Sequence, residues 1–421
     1  MIDRRDFLKI AGAVIPSWGL IPIASAQTSL YTGKVLINVH ASGGIDASSW
    51  FDPRETDATM NNYAAARTPA AVAGNIRAAP MGNNPVFLQR YSRNMLVING
   101  VNSETNSHDD GTRAHATGML AMNYPNLSEL FASVHGKGLP MPWLNAGGMS
   151  TSVGLAPATP MPDGNSFRTL LSPNSANATQ DFIKAGDVQK VLAARTERLK
   201  AQQAAGNLIP RSQLVNAQFE GASNSRALLA RVSDFLPATF DNTAHVGLVA
   251  AQAGIASTLQ FASGGFDGHG QLANSYDGAN GSLARLTNLV DYIITKSGEI
   301  GIANRIMIRI YSEFGRTPLN NGNGKDHWSI GTQVLMEATP PAWGNRVFGA
   351  SGPRHQGLKF DPATGAIDPV NGKTIAPRHV HDALRKYLGI QTSDPKFQLR
   401  VPATENFDFF NPAANTGYPN M

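Results

Sequence analysis

Cysteine is missing from this chain: its count over 421 residues is 0. That excludes both a disulfide framework and a thiolate metal site, so a bound metal has to use oxygen and nitrogen ligands. Iron–sulfur chemistry falls away, and a divalent metal such as zinc, manganese, calcium or magnesium stays open. Past the first segment, no apolar stretch reaches the ~20 residues that a membrane span needs. Basic residues (35) exceed acidic ones (30), a formal net charge of +5, yet they form no stripe interleaved with aromatics. Nucleic acid is therefore not an expected partner. The one local concentration, residues 190–200, has helical spacing and includes Glu197, and reads as a solvated helix face. Internal repeats are also lacking.

What is present begins with an address. Arg4-Arg5-Asp6-Phe7-Leu8-Lys9 is a twin-arginine pattern, an apolar segment with two prolines follows over 10–23, and Ala24-Ser25-Ala26 offers a small-residue cleavage site. The expectation is a signal peptide over 1–26, recognition by the twin-arginine export machinery, and a periplasmic or secreted protein with no stable membrane span after cleavage. The signal holds three bases (Arg4, Arg5, Lys9) and two acids (Asp3, Asp6), so its removal lowers the net charge of +5 by one. The remaining excess suits attraction of an anionic small molecule or glycan.

A hydrophobic content of 42% supports a sizeable core. The strand pattern favours one large α/β domain over 27–400, with insertions near 147–177 and 356–377 and a coil tail over 401–421. Helices are expected over 179–205, 226–236, 244–255 and 282–297, and a closing helix over 381–388.

Chemistry concentrates at strand ends. An apolar run, Ile306–Tyr311, delivers Ser312-Glu313-Phe314-Gly315-Arg316, and the Gly/Asn-rich loop 320–324 can fold back to bring Asp326 and His327 beside Glu313. Residues 258–262 read as a strand leading into Gly264-Gly265-Phe266-Asp267-Gly268-His269-Gly270. A helix then joins it to the strand at 306, so the two strands should run parallel. Residues 34–40 (KVLINVH) form a third strand, followed by Ser42-Gly43-Gly44-Ile45-Asp46. Carboxylates and imidazoles at three strand ends point to one metal site. His40 and His115 can each be a ligand or a buried histidine. His135, His245, His355, His379 and His381 have no acid at ligand spacing and read as surface or capping residues.

The twin-arginine start, GGID, GGFDGHG and SEFGRTPLNNGNGKDHW, in this order over about 35–390, resemble the exported domain-of-unknown-function family fifteen-oh-one. That family is grouped with the alkaline phosphatase and sulfatase superfamily. The resemblance implies an alkaline-phosphatase-like, doubly wound, mostly parallel sheet with helices on both faces and metal ligands at strand ends. Asp46 resembles the first-strand metal aspartate, and Asp267 and His269 the mid-chain ligands. Glu313 takes the place of a strand-end aspartate. His327 resembles the final histidine ligand, or Asp326-His327 is itself an Asp-His pair. Superfamily nucleophiles start a helix after the second strand, here residues 95–99. Counting back from Thr117-Gly118 leads to His108, with Ser107 and Thr112 as neighbours. Arg316 would hold a substrate anion or pair with Glu313.

The expected function is an exported metal-dependent hydrolase of phosphate or sulfate esters, with Ser107, His108 and Arg316 as catalytic candidates and Asp46, Asp267, His269, Glu313, Asp326 and His327 as metal ligands. The alternative is a non-catalytic exported protein with a structural metal that binds a glycan or a partner protein. Because the address is read as an arginine pair, Arg4→Lys combined with Arg5→Lys should leave the precursor in the cytoplasm. Cell fractionation checks this, and unchanged mature protein outside the cytoplasm refutes it.

Overall fold

The computed structural model describes residues 30–55, 57, 59–61, 63, 71–171, 184–204, 229, 231–270, 272–322, 324–390 and 394–419. The signal pattern, all of 172–183, and residues 226–228 and 230 of the helix expected over 226–236 lie outside these residues. In chain order the strands are β1 (Val35–Ala41), β2 (Ala71–Ala73), β3 (Ile76–Ala78), β4 (Met95–Asn102), β5 (Trp143–Ala146), β6 (Ala158–Pro160), β7 (Thr258–Ser263), β8 (Ile306–Tyr311), β9 (Gly315–Arg316), β10 (His327–Trp328), β11 (Ile330–Glu337) and β12 (Arg346–Phe348). β2 with β3 and β9 with β10 are small antiparallel pairs. The other eight make one sheet, ordered β12-β4-β11-β8-β1-β7-β5-β6.

β1 is buried along its whole length, as an apolar strand in the middle of a sheet covered on both faces should be. Its side chains alternate between two cores. Val35, Ile37 and Val39 join one core with helices Asn84–Tyr91, Thr243–Gln252 and Ser282–Glu299. Leu36 joins the other with helices Leu127–His135 and Pro377–Tyr387. The result is the expected α/β architecture, a mostly parallel sheet with helices on both faces. None of the described helices is long and apolar enough to cross a membrane.

Three topological details differ from the sequence reading. β7 and β8 do run in the same direction, but β1 lies between them and pairs in parallel with both. β11 was not expected: it follows the His327 loop and runs antiparallel to both β8 and β4. Its run of eight buried residues reads as core but carries no helix or turn signal to mark it as a returning strand. β5 and β6 extend the sheet from a Gly/Pro-rich region, part of which read as an insertion. The tail has little regular structure but is packed. Phe407 and Phe409 are buried, and the Arg346 guanidinium donates to the carbonyls of Phe409, Asn411 and Ala414. His245, His355, His379 and His381 are buried rather than surface residues. His379 does cap its helix, its Nδ1 accepting from the Ala376 N–H at 2.9 Å.

The carboxyl ends of β8, β1 and β7 are adjacent, so their loops meet. Gly43 (φ +122°) and Gly44 (φ +83°) make that meeting possible: a Cβ would lie 2.3 Å from the Asp267 nitrogen at the first and 2.3 Å from the Phe314 ring at the second. Beyond them Asp46 turns inward, fully buried. It accepts from Lys325 Nζ at 3.0 and 3.1 Å, from the Ser48 hydroxyl at 2.8 Å and from Ser49 at 2.6 Å. Burial pushes its pKa up, but the Lys325 charge and the Ser49 bond outweigh this and hold it below the usual carboxylate range. The first-strand aspartate is thus turned into an internal ion pair rather than toward a metal. Its partner lies 279 residues away, where sequence spacing could not reveal it.

Lys325→Met, which strands the buried Asp46 charge, should lower unfolding free energy by about 3–5 kcal/mol, and adding Asp46→Asn should recover more than half of it in urea titrations. A second test concerns Gly111, inside helix His108–Thr117, where a Cβ would lie 2.4 Å from the Glu313 carbonyl oxygen. Helix propensity alone favours alanine by ~1 kcal/mol, but the clash should reverse the sign and make Gly111→Ala about 1–3 kcal/mol less stable.

Candidate metal centre

Helix His108–Thr117 starts where it does because Ser107 caps it, its exposed side chain accepting from the Asp110 N–H at 3.4 Å, while Asp109 and Asp110 suit the positive end of the helix dipole. This sets His108 at the first turn, over the end of β8. The short ladder between β9 and β10 places His327 opposite Arg316. The glycine loop after β7 supplies Asp267 and His269.

Three imidazoles then converge on the Asp267 carboxylate. His269 Nε2 lies 3.3 Å and His327 Nε2 3.7 Å from Oδ1, and His108 Nε2 lies 3.8 Å from Oδ2. His108, Asp267 and His327 each offer a ligand atom within 4.8 Å of the others. Every one of these rings has its other nitrogen against an acceptor. Nδ1 of His108 meets Glu313 Oε1 at 2.7 Å, Nδ1 of His269 meets Asp326 Oδ1 at 2.9 Å, and Nδ1 of His327 meets the Asn106 carbonyl at 2.7 Å. A neutral imidazole has one proton, and here it belongs on Nδ1, leaving each Nε2 with a lone pair. Nε2 of His269 and Nε2 of His327 are 2.9 Å apart. Two lone pairs at that distance repel unless a proton or a cation lies between them. Burial pushes the His327 imidazole below its ordinary pKa, which favours the neutral, lone-pair form.

The remaining candidates stand behind this cluster. Glu313 is 1% exposed, and besides His108 it takes the Gly43 N–H at 2.8 Å and His40 Nε2 at 2.9 Å. Burial pushes its pKa up, but the bond to His40 and its charge prevail and hold it at about 2. Asp326 is held below its ordinary range by its bond to His269. Arg316 is fully buried and pairs with Asp267 Oδ1 at 2.7 Å, not with Glu313. Its other donors go to the carbonyls of Gly44 (2.8 Å), Lys325 (3.1 Å) and Gly43, so it is not presented to a substrate. Burial alone would raise the Asp267 pKa, but the Arg316 bond and charge outweigh it and hold the carboxyl below its usual range. Phe314 walls the cluster, its ring centroid 4.9 Å from His108 and 4.3 Å from His327.

The structure therefore brings together His108, Asp267, His269 and His327, sets Glu313, Asp326 and Arg316 directly behind them, and leaves Asp46 in its ion pair with Lys325 and Ser107 as a cap. Sequence reasoning missed His40 as the partner of Glu313, although its place at a strand end was a signal. It also missed Lys325, which stands next to Asp326. A Ser–His contact elsewhere, Ser103 Oγ to His115 Nε2 at 2.8 Å, has the wrong polarity for catalysis. Arg309 occupies Gln333 Oε1 at 3.1 and 3.0 Å, so the Gln333 amide donates to His115 Nδ1 at 2.9 Å. His115 must then donate from Nε2 to the serine and cannot take its proton.

No curated protein sequence matches the chain. Among solved structures it is similar, at 9% identity and a TM-score of 0.40, to Ps i-CgsB in complex with k-i-k-neocarrahexaose, over 91% of this chain and 77% of that one. It is also similar, at 9% identity and a TM-score of 0.35, to a Bacteroides thetaiotaomicron structure reported with the metabolism of multiple glycosaminoglycans, over 85% of this chain and 73% of that one. Residues 170–337, which carry Asp267, His269, Glu313, Arg316, Asp326 and His327, match the family described as protein of unknown function (DUF1501).

Proposed function

We propose that this chain is an exported, divalent-metal-dependent hydrolase of phosphate or sulfate esters, acting on an anionic small molecule or glycan. One observation carries the reading: His108, Asp267 and His327 each offer a ligand atom within 4.8 Å of the others, His269 Nε2 stands beside the last two, and each of the three rings is fixed from behind by an acceptor. Metal-binding histidines are held in this manner, and the outer partners raise ligand basicity. A donor set of two imidazole nitrogens and one carboxylate, with a third imidazole alongside, fits zinc, or another ion that accepts imidazole, better than calcium or magnesium, which take oxygen cages. Manganese is intermediate.

When bound, such an ion would supply Lewis acidity toward an ester oxygen. The chain's own groups do the rest. Asp267 contributes the one anionic donor, oriented by Arg316. Phe314 keeps water from one side of His108 and His327. Asp326 fixes His269 and, being exposed, can exchange protons with solvent.

A non-catalytic reading, a metal-containing protein that binds a glycan or a partner, is favoured by one feature. Among the described residues, no serine or threonine hydroxyl is hydrogen-bonded to the four converging side chains, and Ser107 is engaged as a helix cap.

Elemental analysis of the purified protein should find at least one divalent ion per chain, and Asp267→Asn and His327→Ala should each remove most of it, together with hydrolysis of p-nitrophenyl phosphate or sulfate. Ser107→Ala should keep the metal. With free metal at 100 times its dissociation constant, the wild type should gain about 2.7 kcal/mol of stability. Wild type that holds metal and cleaves no ester across a broad panel moves the conclusion to the binding protein, and wild type without metal overturns both.

A further inference from the structure

The three histidines are backed by acceptors of different strength. His327 has a backbone carbonyl and His269 has the exposed Asp326, whereas His108 has Glu313, a carboxylate enclosed by protein. A charged acceptor in a low-dielectric setting orients its donor most strongly. The two oxygens of that carboxylate depend on different partners. Oε1 is shared by the Gly43 N–H and His108 Nδ1, at 2.8 and 2.7 Å. Oε2 has His40 Nε2 at 2.9 Å and Ser312 Oγ at 3.1 Å, but the serine hydroxyl is closer to the Ala41 carbonyl, at 2.5 Å. A hydroxyl has one hydrogen, and the carbonyl takes it. Oε2 therefore relies on His40.

His40 is in turn kept from rotating away. It is buried at the end of β1, and its ring stacks on Tyr311, with centroids 5.0 Å apart and planes within 10° of each other. Tyr311 also lies parallel to His115, at 6.1 Å and 4°. Because β1 pairs in register with β8, His40 stands beside Tyr311 in the sheet, two residues from Glu313. The line from sheet to cluster is continuous: stacked Tyr311, His40, Glu313, His108.

We propose that His40 and Glu313 form a positioning pair for His108. They hold its proton on Nδ1 and aim the Nε2 lone pair at the point shared with Asp267 and His327. His40 keeps the Glu313 carboxylate rotated so that Oε1 faces the imidazole. Neither residue touches a metal or a substrate; both act through His108. The consequence for affinity rests on the metal-centre reading above, but the tautomer is a property of the metal-free protein and stands on its own.

The test uses the full chain, stripped of metal and labelled with nitrogen-15 histidine, as wild type, Glu313→Gln, His40→Phe and His40→Gln. Phenylalanine keeps the stack on Tyr311 and loses the donor, while the glutamine amide nitrogen can replace Nε2. Long-range proton–nitrogen spectra should show His108 protonated on Nδ1 in wild type and His40→Gln, with the proton moving toward Nε2 in His40→Phe. Zinc affinity by chelator competition should fall about ten- to a hundredfold in Glu313→Gln and His40→Phe and return to within about threefold of wild type in His40→Gln. Thermal unfolding of each metal-free variant separates this from loss of fold, and if Glu313→Gln does not fold, the His40 variants decide. A wild-type His108 protonated on Nε2, or zinc binding in His40→Phe equal to wild type, overturns the proposal. If wild type takes up no zinc, the metal reading falls and the spectra alone decide the pair.

Discussion

The Arg316 guanidinium ties together the three loops on which the centre depends. It contacts the β1 loop through the carbonyls of Gly43 and Gly44, the β7 loop through Asp267, and its own returning loop through the Lys325 carbonyl. A planar cation with donors in fixed directions can hold three segments in one relative placement, which a flexible ammonium cannot. Burying that charge is costly, and one carboxylate with three carbonyls offsets the cost. The glycines at 43 and 44 are part of the same device, since their missing side chains let the loops come close enough for one side chain to reach all three.

Lys325 completes the arrangement from the other side. Its backbone carbonyl accepts from Arg316 while its ammonium is buried against Asp46, Ser48 and the Met60 carbonyl. One residue thus fixes the loop by main chain and side chain at once, immediately before Asp326 and His327. The polar residues around the cluster fall into two groups: those that turn ligand-type atoms toward one another, and those whose donors hold the loops still.

Much of this was legible in the sequence, and the division has a physical cause. Largely apolar runs at 34–40, 258–262 and 306–311 marked the central strands, because a strand buried on both faces is predominantly apolar. Asp267, His269 and His327 stood out as ligand-type residues in glycine loops, and His108 emerged from counting along a helix. What could not be read was who partners whom. Asp46, Glu313 and Arg316 are all strand-end polar residues, and nothing local distinguishes a ligand from an ion-pair member or a loop tie. That depends on Lys325, His40 and Asp267, brought near by chain reversals whose register the sequence does not display. β11 was hidden because Gly331, Thr332, Gln333 and Glu337 interrupt it: it shows neither a continuous apolar run nor the regular alternation that marks a strand with one wet face.

The sheet order has a consequence for how the chain assembles. Among the described strands β1 is the earliest in the chain, yet it belongs in the middle of the sheet, and both of its neighbours are made more than two hundred residues later. Until residue 263 is available β1 has two unsatisfied edges, and until residue 311 it still has one. Pairings of such long sequence separation carry a high loop-closure cost and slow folding, and unpaired apolar edges invite mispairing with other chains while they wait. For this topology the acquisition of structure is a late, whole-chain event, and a nascent chain truncated before β8 is a candidate for chaperone capture rather than a half-folded domain.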